Sequence, residues 1–407
     1  MKNTFFKQFI YTMFILLGMA SCSWYDTEDE ISYDRVVLVY MAADNNLSYP
    51  SKNYAQEDID EMISAVGDIP SNSRLIVYLD DNSLPRILSI EQQKGRRPIA
   101  KVVHQYNEEH NSADAETLYS FIEWATNTYP AESYGLVLWS HGNGWMPAKA
   151  PAQRAVCLDS KSGYSWMEIA DIADALGNGP RMEFILFDAC FMQSIEVAYE
   201  LRHVAKYIVA SPAEIPAPGA PYNRIVMSMF SPSNSALDIA EEYYQEYSKG
   251  DDVIPGGKDE ESYGVCLSVV DCSQLDLLAK ITKDMLAKYV GTQSAIDLKG
   301  VQRYYLLNTS TRPYFYDMNG YMSRLLTDIE DYHHWKGVFD MAVPHKRTTT
   351  HWYSYDTGTE EVDMENYGGI SCYVPHATST RTKLNEAFRS TAWYHAAGWN
   401  VWYPTAE

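Results

Sequence analysis

The chain has 407 residues, 46% of them hydrophobic and 21% charged, a balance that excludes a fibrous or disordered protein. That length exceeds the roughly 100 to 200 residues of a typical domain, so one large core with an appendage, or two tightly packed domains, is expected. A net charge of −22 argues against nucleic acid as a partner.

The chain opens with Lys2 and Lys7, a mostly apolar run over residues 9–19, and small residues leading to Cys22. This reads as an export signal over residues 1–21, too short to span a bilayer comfortably. Met19-Ala20-Ser21-Cys22 resembles a bacterial lipobox, with Met19 where such motifs usually carry Leu. Lipidation of Cys22 then implies attachment to a membrane through a lipid anchor; the plainer alternative is an ordinary cleaved signal. Losing residues 1–21 removes two lysines and leaves 30 basic against 54 acidic residues. Residues 22–33, with acids at Asp26, Glu28, Asp29 and Glu30, read as an acidic tether. The tether resembles the surface-export signals of some Gram-negative lipoproteins, or is simply a solvated linker. The expected location is the outer membrane or cell surface, alternatively the periplasm.

Short apolar runs over residues 36–41, 75–79, 135–139, 184–187, 207–210 and 265–270 predict buried strands. Between them, Ile59, Met62, Ile63 and Val66, and then Leu118, Phe121, Ile122 and Ala125, repeat at the spacing of one helix face. Ser165 and Glu168 read as a capping box ahead of Ile169, Ile172 and Leu176. The alternation predicts an α/β domain over residues 34–300, with a mostly parallel sheet flanked by helices. Residues 250–262, rich in Gly, Pro and charge, read as an exposed loop. Residues 301–407 are aromatic and less periodic, and predict a smaller C-terminal subdomain packed on that core.

Ligands of such sheets gather beyond the carboxyl ends of the strands. His141 follows the third run and Cys190 the fourth. With Cys22 assigned to lipid, five cysteines remain at spacings that match no zinc motif, and an odd number leaves at least one thiol unpaired. Phe191, Ile195, Ala198 and Leu201 have helical spacing, which predicts Cys190 in the first turn of a helix. There the helix terminus and a nearby imidazole would lower the thiol pKa. His141 could protonate a leaving amine, and the N–H groups of Gly142 and Cys190 could face an oxyanion. Taken singly, a cysteine after an apolar strand is more often a small buried hydrophobe, and a lone histidine there is more often structural.

Four ordered blocks resemble the clostripain family of cysteine peptidases: Val39-Tyr40-Met41-Ala42-Ala43-Asp44-Asn45-Asn46-Leu47; Tyr134-Gly135-Leu136-Val137-Leu138-Trp139-Ser140-His141-Gly142; Asp188-Ala189-Cys190 with Glu196 to Leu201; and Ser211-Pro212-Ala213-Glu214 onward to Gly219 and Tyr222. The family belongs with the caspases, gingipains and legumains. The resemblance implies a caspase-like fold and two-step acyl transfer, with Cys190 as nucleophile and His141 as proton donor. It also implies protein or peptide substrates cut after Arg or Lys, with Asp188 in the specificity pocket and Glu214 as a second candidate there. Asp188 could equally cap the following helix. Self-cleavage between the histidine and cysteine blocks is implied as well, after Lys149 or Arg154, Arg154 being favoured. The resemblance leaves room for calcium, but Asp44, Asp80 and Asp81 form no recognisable loop motif, so no metal ligand is assigned.

A reading from another class is a surface lipoprotein that binds glycans or peptides without catalysis, prompted by 32 Tyr and 10 Trp. A binding protein needs no His141 and Cys190 pair. An inactive homologue is a third reading, opposed by the presence of nucleophile, histidine and pocket acid together.

Overall fold

In a computed structural model, residues 32–93, 95–146, 156–249, 264–292, 296–304, 315–354, 358–375 and 382–402 are described. Cys22, the signal, the tether up to residue 31, Lys149, Arg154 and the loop expected over residues 250–262 lie outside them, while Tyr33, expected to end the tether, opens the first strand.

Nine strands form the main sheet: β1 (Tyr33–Ala42), β2 (Ser73–Asp80), β3 (Arg86–Glu91), β4 (Ile99–Gln105), β5 (Ala131–Trp139), β6 (Met182–Asp188), β7 (Ala205–Ala210), β8 (Cys266–Asp271) and β9 (His345–Thr348). Their spatial order is β9-β8-β7-β6-β5-β1-β2-β3-β4. The central five, β7-β6-β5-β1-β2, run parallel, and an antiparallel pair closes each edge. The expected mostly parallel α/β sheet is therefore present. Residues beyond 300 supply β9 to it, and also a three-stranded sheet that includes Phe315–Asp317 and Ser371–Tyr373.

The central strands read as unbroken apolar runs because both of their faces are covered. Along β1, Val36, Leu38 and Tyr40 face one core and Val37, Val39 and Met41 the other. The first core holds Leu118 and Phe121 of α2 (Ala115–Thr128), Ile172 of α3 (Ile169–Gly177), Ile195 of α4 (Ile195–Leu201) and Leu278 of α7 (Leu275–Tyr289). The second holds Ile59 and Met62 of α1 (Tyr54–Ala65), Ile225 of α5 (Tyr222–Met229) and Ile239 of α6 (Ser235–Ser248). Gly135 sits opposite Phe184 in the β5–β6 register, where an added Cβ would lie 2.4 Å from the Phe184 ring. A glycine inside this strand is thus the space into which the aromatic side chain packs.

The helix of residues 169–177 is capped differently from the sequence expectation. Glu168 is the N-cap and Asp171 completes the box, while Ser165 lies in the short strand Ser165–Met167. Among the described residues, no helix is long and apolar enough to cross a membrane.

Candidate active site

Strands β5 and β6 are paired so that Trp139 lies beside Asp188, and the Ser140 N–H reaches the Asp188 carbonyl at 3.3 Å. His141 and Cys190 each follow two residues after that matched pair, on neighbouring strand ends. They line one cavity of about 620 Å³, together with Gly142, Asp188 and Glu214. Tyr353, from beyond residue 300, is part of the same wall. A cavity of about 510 Å³ lined by residues 298–303 and 361–363 contains none of these side chains.

The two loops touch. At Gly142 a Cβ would stand 2.6 Å from the Cys190 carbonyl oxygen and 2.9 Å from the Ala189 Cβ, so only glycine fits between them. Phe191 adopts φ 62°, an uncommon conformation for a bulky residue. Its N–H donates to the Ala213 carbonyl at 2.9 Å, and the Gln193 N–H donates to the Ser211 carbonyl at 2.9 Å. The Ser211-Pro212-Ala213-Glu214 block thereby holds the cysteine loop in place. The Ile215 N–H points at Cys190 Sγ from 3.4 Å.

Among the five described cysteines, all free thiols, Cys190 is half-buried while Cys157, Cys266, Cys272 and Cys372 are buried. Cys190 does not open a helix. Helix α4 starts at Ile195 with Ser194 as its N-cap, whose hydroxyl accepts from the Val197 N–H. The cysteine lies four residues before that cap, beyond the reach of a helix terminus, whose field fades within one turn. The thiol is accordingly not acidified. Desolvation, the Glu214 charge and the Asp188 charge push it up to about 12, with the Ile215 N–H opposing them. Desolvation also pulls His141 down to about 4. Both shifts favour the thiol and the neutral imidazole at neutral pH.

His141 Nε2 lies 2.7 Å from Asn46 Oδ1. With the Nε2–H donated there, Nδ1 is the basic nitrogen. Asn46 went unassigned in the sequence reading, although it stands inside the first quoted block. Its neighbour Asn45 explains the block's rigidity: Nδ2 donates to the Ala42 carbonyl at 2.9 Å and the Leu158 carbonyl at 3.0 Å. Ser140 adds a hydroxyl bond to the Ala42 carbonyl at 2.8 Å and accepts from the Leu158 N–H at 3.0 Å. Together they tie the end of β1, the end of β5 and the strand Val156–Asp159 into one platform under His141.

Asp188 does not cap the following helix. Its Oδ1 accepts from the Ala220 N–H at 3.0 Å and its Oδ2 from the Tyr222 hydroxyl at 3.0 Å. Gly219, at φ 66°, passes so close that a Cβ would lie 2.8 Å from Asp188 Oδ1. Behind it, Asp58 accepts from Trp139 Nε1 at 2.6 Å. Burial raises both carboxyls above the usual range, and the Asp188 charge raises Asp58 further. Glu214 is 7% exposed and shares the cavity wall.

The clostripain family model matches residues 39–402. Clostripain of Hathewaya histolytica is 30% identical over 221 residues, 46% of this chain, and the chain spans 41% of that protein's length. A secreted C11 cysteine protease of Bacteroides thetaiotaomicron, solved with an irreversible peptide inhibitor, is similar at a TM-score of 0.80 and 34% identity, covering 90% of this chain and 99% of that one. An inactive zymogen C11 protease of Parabacteroides distasonis gives a TM-score of 0.75 and 32% identity, over 90% of this chain and 98% of the other. Family, sheet topology and strand-end cysteine agree: this chain belongs to the clostripain family of cysteine peptidases.

Proposed function

We propose that the protein is an exported cysteine endopeptidase that cuts after Arg or Lys through Cys190 and His141. The observation that carries the specificity is the cavity wall. It contains Asp188 and Glu214, both buried acids, and among its described residues there is no Lys or Arg. Asp188 already accepts from the Ala220 N–H and the Tyr222 hydroxyl, and a substrate cation would add the opposite charge that a buried carboxylate favours.

That arrangement couples recognition to chemistry. A substrate guanidinium or ammonium beside Asp188 and Glu214 cancels the two charges that hold the thiol up, so binding a basic residue favours the thiolate. Nδ1 of neutral His141 takes the thiol proton, the sulfur attacks the carbonyl carbon, and the C–N bond breaks as the imidazolium returns the proton to the amine. The N–H groups of Gly142 and Cys190 are the candidate donors to the oxyanion. Water, deprotonated by His141, then cleaves the thioester and frees the cysteine.

Self-cleavage after Arg154 or Lys149 and lipidation at Cys22 belong to the same proposal. The first is supported by the interval between the two site blocks and by a relative described as a zymogen, the second by the lipobox-like residues. The experiment is hydrolysis of paired fluorogenic peptides ending in Arg, Lys, Asp or Asn, with Cys190→Ala and His141→Ala variants beside the parent. Cleavage after Arg or Lys that vanishes in both variants is expected. Cleavage after Asp or Asn would refute the specificity, and no turnover by the reduced, nicked enzyme would favour a binding lipoprotein instead.

A further inference from the structure

Behind the pocket lies an acid that is not part of the cavity wall. Trp139 and Asp188 are matched across β5 and β6, so their side chains leave the same face of the sheet, the one that carries the second core. Helix α1 packs on that face. Its Tyr54, Asp58 and Glu61 recur at the spacing of one side of a helix. Tyr54 and Trp139 both line the cavity. Glu61 Oε2 accepts from the Asn223 N–H at 3.3 Å, near the start of α5. Asp58 lies between Tyr54 and Glu61, 3% exposed and outside the cavity lining.

Two buried acids thus serve one pocket from different elements. Asp188 faces it directly, whereas Asp58 holds its wall, accepting from Trp139 Nε1 at 2.6 Å. An amide would hold an indole N–H as well and carry no charge, so a carboxyl here exceeds what a scaffold needs. Two carboxyls in one dry region do not both ionise freely. Burial and the Asp188 charge keep the proton on Asp58, while the bond from Trp139 favours the ion. Asp188 has its own donors, the Ala220 N–H and the Tyr222 hydroxyl, and burial raises it to about 7. It is the member that ionises first. Among the described residues, the other titratable groups that act most on the pair are Glu57 and Glu61 of α1, Tyr222 of α5, Tyr243 and Tyr247 of α6, and Cys190 after β6. None of these is a cation.

We propose that Asp58 is a second acid of the basic-residue pocket: it releases its proton when a substrate cation reaches Asp188, and so makes the site prefer a cation to a neutral side chain of the same shape. This rests on the reading of Asp188 as the acid that meets the basic residue before the cut. A guanidinium or ammonium there cancels the Asp188 field at Asp58, and the Trp139 N–H is already in place to serve the new anion. The proton passes to solvent, and the cation faces two carboxylates instead of one. A neutral isostere leaves the Asp188 field standing and releases nothing. Asp58 touches neither substrate nor thiol; it determines specificity through Trp139 and through its own charge.

The test counts protons on binding. The mature chain carrying Cys190→Ala, which binds without cutting, is titrated by calorimetry in buffers of different ionisation heat, at about pH 8, where Asp188 is mostly charged. The ligands are an end-blocked peptide with Arg before the cut and its citrulline counterpart. The Arg peptide should release about one proton and the citrulline peptide none. Adding Asp58→Asn, which keeps an acceptor for Trp139, should at least halve the release. It should also weaken Arg binding about tenfold and leave citrulline binding unchanged. With Cys190 restored, Asp58→Asn should raise KM for Arg peptides about tenfold with kcat little changed. A parent that prefers Arg but releases no proton, or releases as much with citrulline, would overturn this proposal alone. So would a variant that loses both peptides equally, or neither. The parent's proton count needs no substitution at Asp58, so it decides the matter even if the variant fails to fold. A parent that binds both peptides equally would refute the pocket reading itself.

Discussion

Replacing Asp188 by Asn preserves shape and an acceptor for the Ala220 N–H, but deletes one buried negative charge. Two consequences of opposite sign follow. In the pocket, a substrate cation loses its buried partner, and breaking such a pair from one side costs about 3–5 kcal/mol. At about 1.4 kcal/mol per tenfold, kcat/KM for peptides cut after Arg should fall about 100- to 4000-fold. Peptides with an uncharged residue before the cut should lose far less. At the thiol, Asp188 is one of the charges that raise Cys190, after desolvation and Glu214. The variant's resting thiol should therefore be more acidic, and alkylation by iodoacetamide should begin at lower pH and run faster at neutral pH. The assay is both measurements on one preparation: a matched peptide series and a pH profile of inactivation. Equal losses across all peptides, or slower alkylation, would refute the reasoning, because each would show that Asp188 acts only as scaffold.

Asn46→Ala removes the group 2.7 Å from His141 Nε2; kcat should drop about 100-fold with KM little changed, and Asn46→Asp should recover part of it by keeping an acceptor oxygen. Gly142→Ala drives a methyl into the Cys190 carbonyl, so turnover should vanish and urea unfolding should show a cost of about 1–3 kcal/mol. Glu196 is held up to about 7 by burial, against 4.5 when free. The unfolded chain loses that proton first, so the residue's contribution to stability falls as pH rises from about 4.5 to about 7. Glu196→Gln should be near neutral at pH 4.5 and stabilise the fold above pH 7, on the order of 1–3 kcal/mol, read from denaturant midpoints. A variant destabilised at every pH would show that the Tyr373 N–H bond to Glu196 Oε1 outweighs the buried charge.

Strands covered on both faces carry their burial in composition, which is why the central β1, β2, β5, β6 and β7 were readable, and with them the strand ends that hold His141 and Cys190. The edges were not. Ile99–Gln105 mixes Lys101 and Gln105 with exposed positions, and His345–Thr348 is basic, so neither displays an apolar run. Their pairing is decided by neighbours distant in sequence. The misplaced helix start has a similar origin. Phe191, Ile195, Ala198 and Leu201 keep a helical spacing, but Phe191 is buried through a left-handed turn that periodicity cannot register. Asn46 was hidden for another reason: its role depends on which way the β1 loop turns, and an amide carries no chemical signal of its own.

The edge strand β9 has a consequence for how this molecule comes into being. Strand β8 pairs with β7 on one side and β9 on the other, and β9 begins 74 residues after β8 ends. At about 5–20 residues per second, a ribosome needs roughly 4–15 s to make the intervening chain, during which β8 has a bare flank. A truncation at residue 300 makes that interval permanent. It would leave an unpaired edge carrying Val269 and Val270, the kind of template that recruits other chains into aggregates.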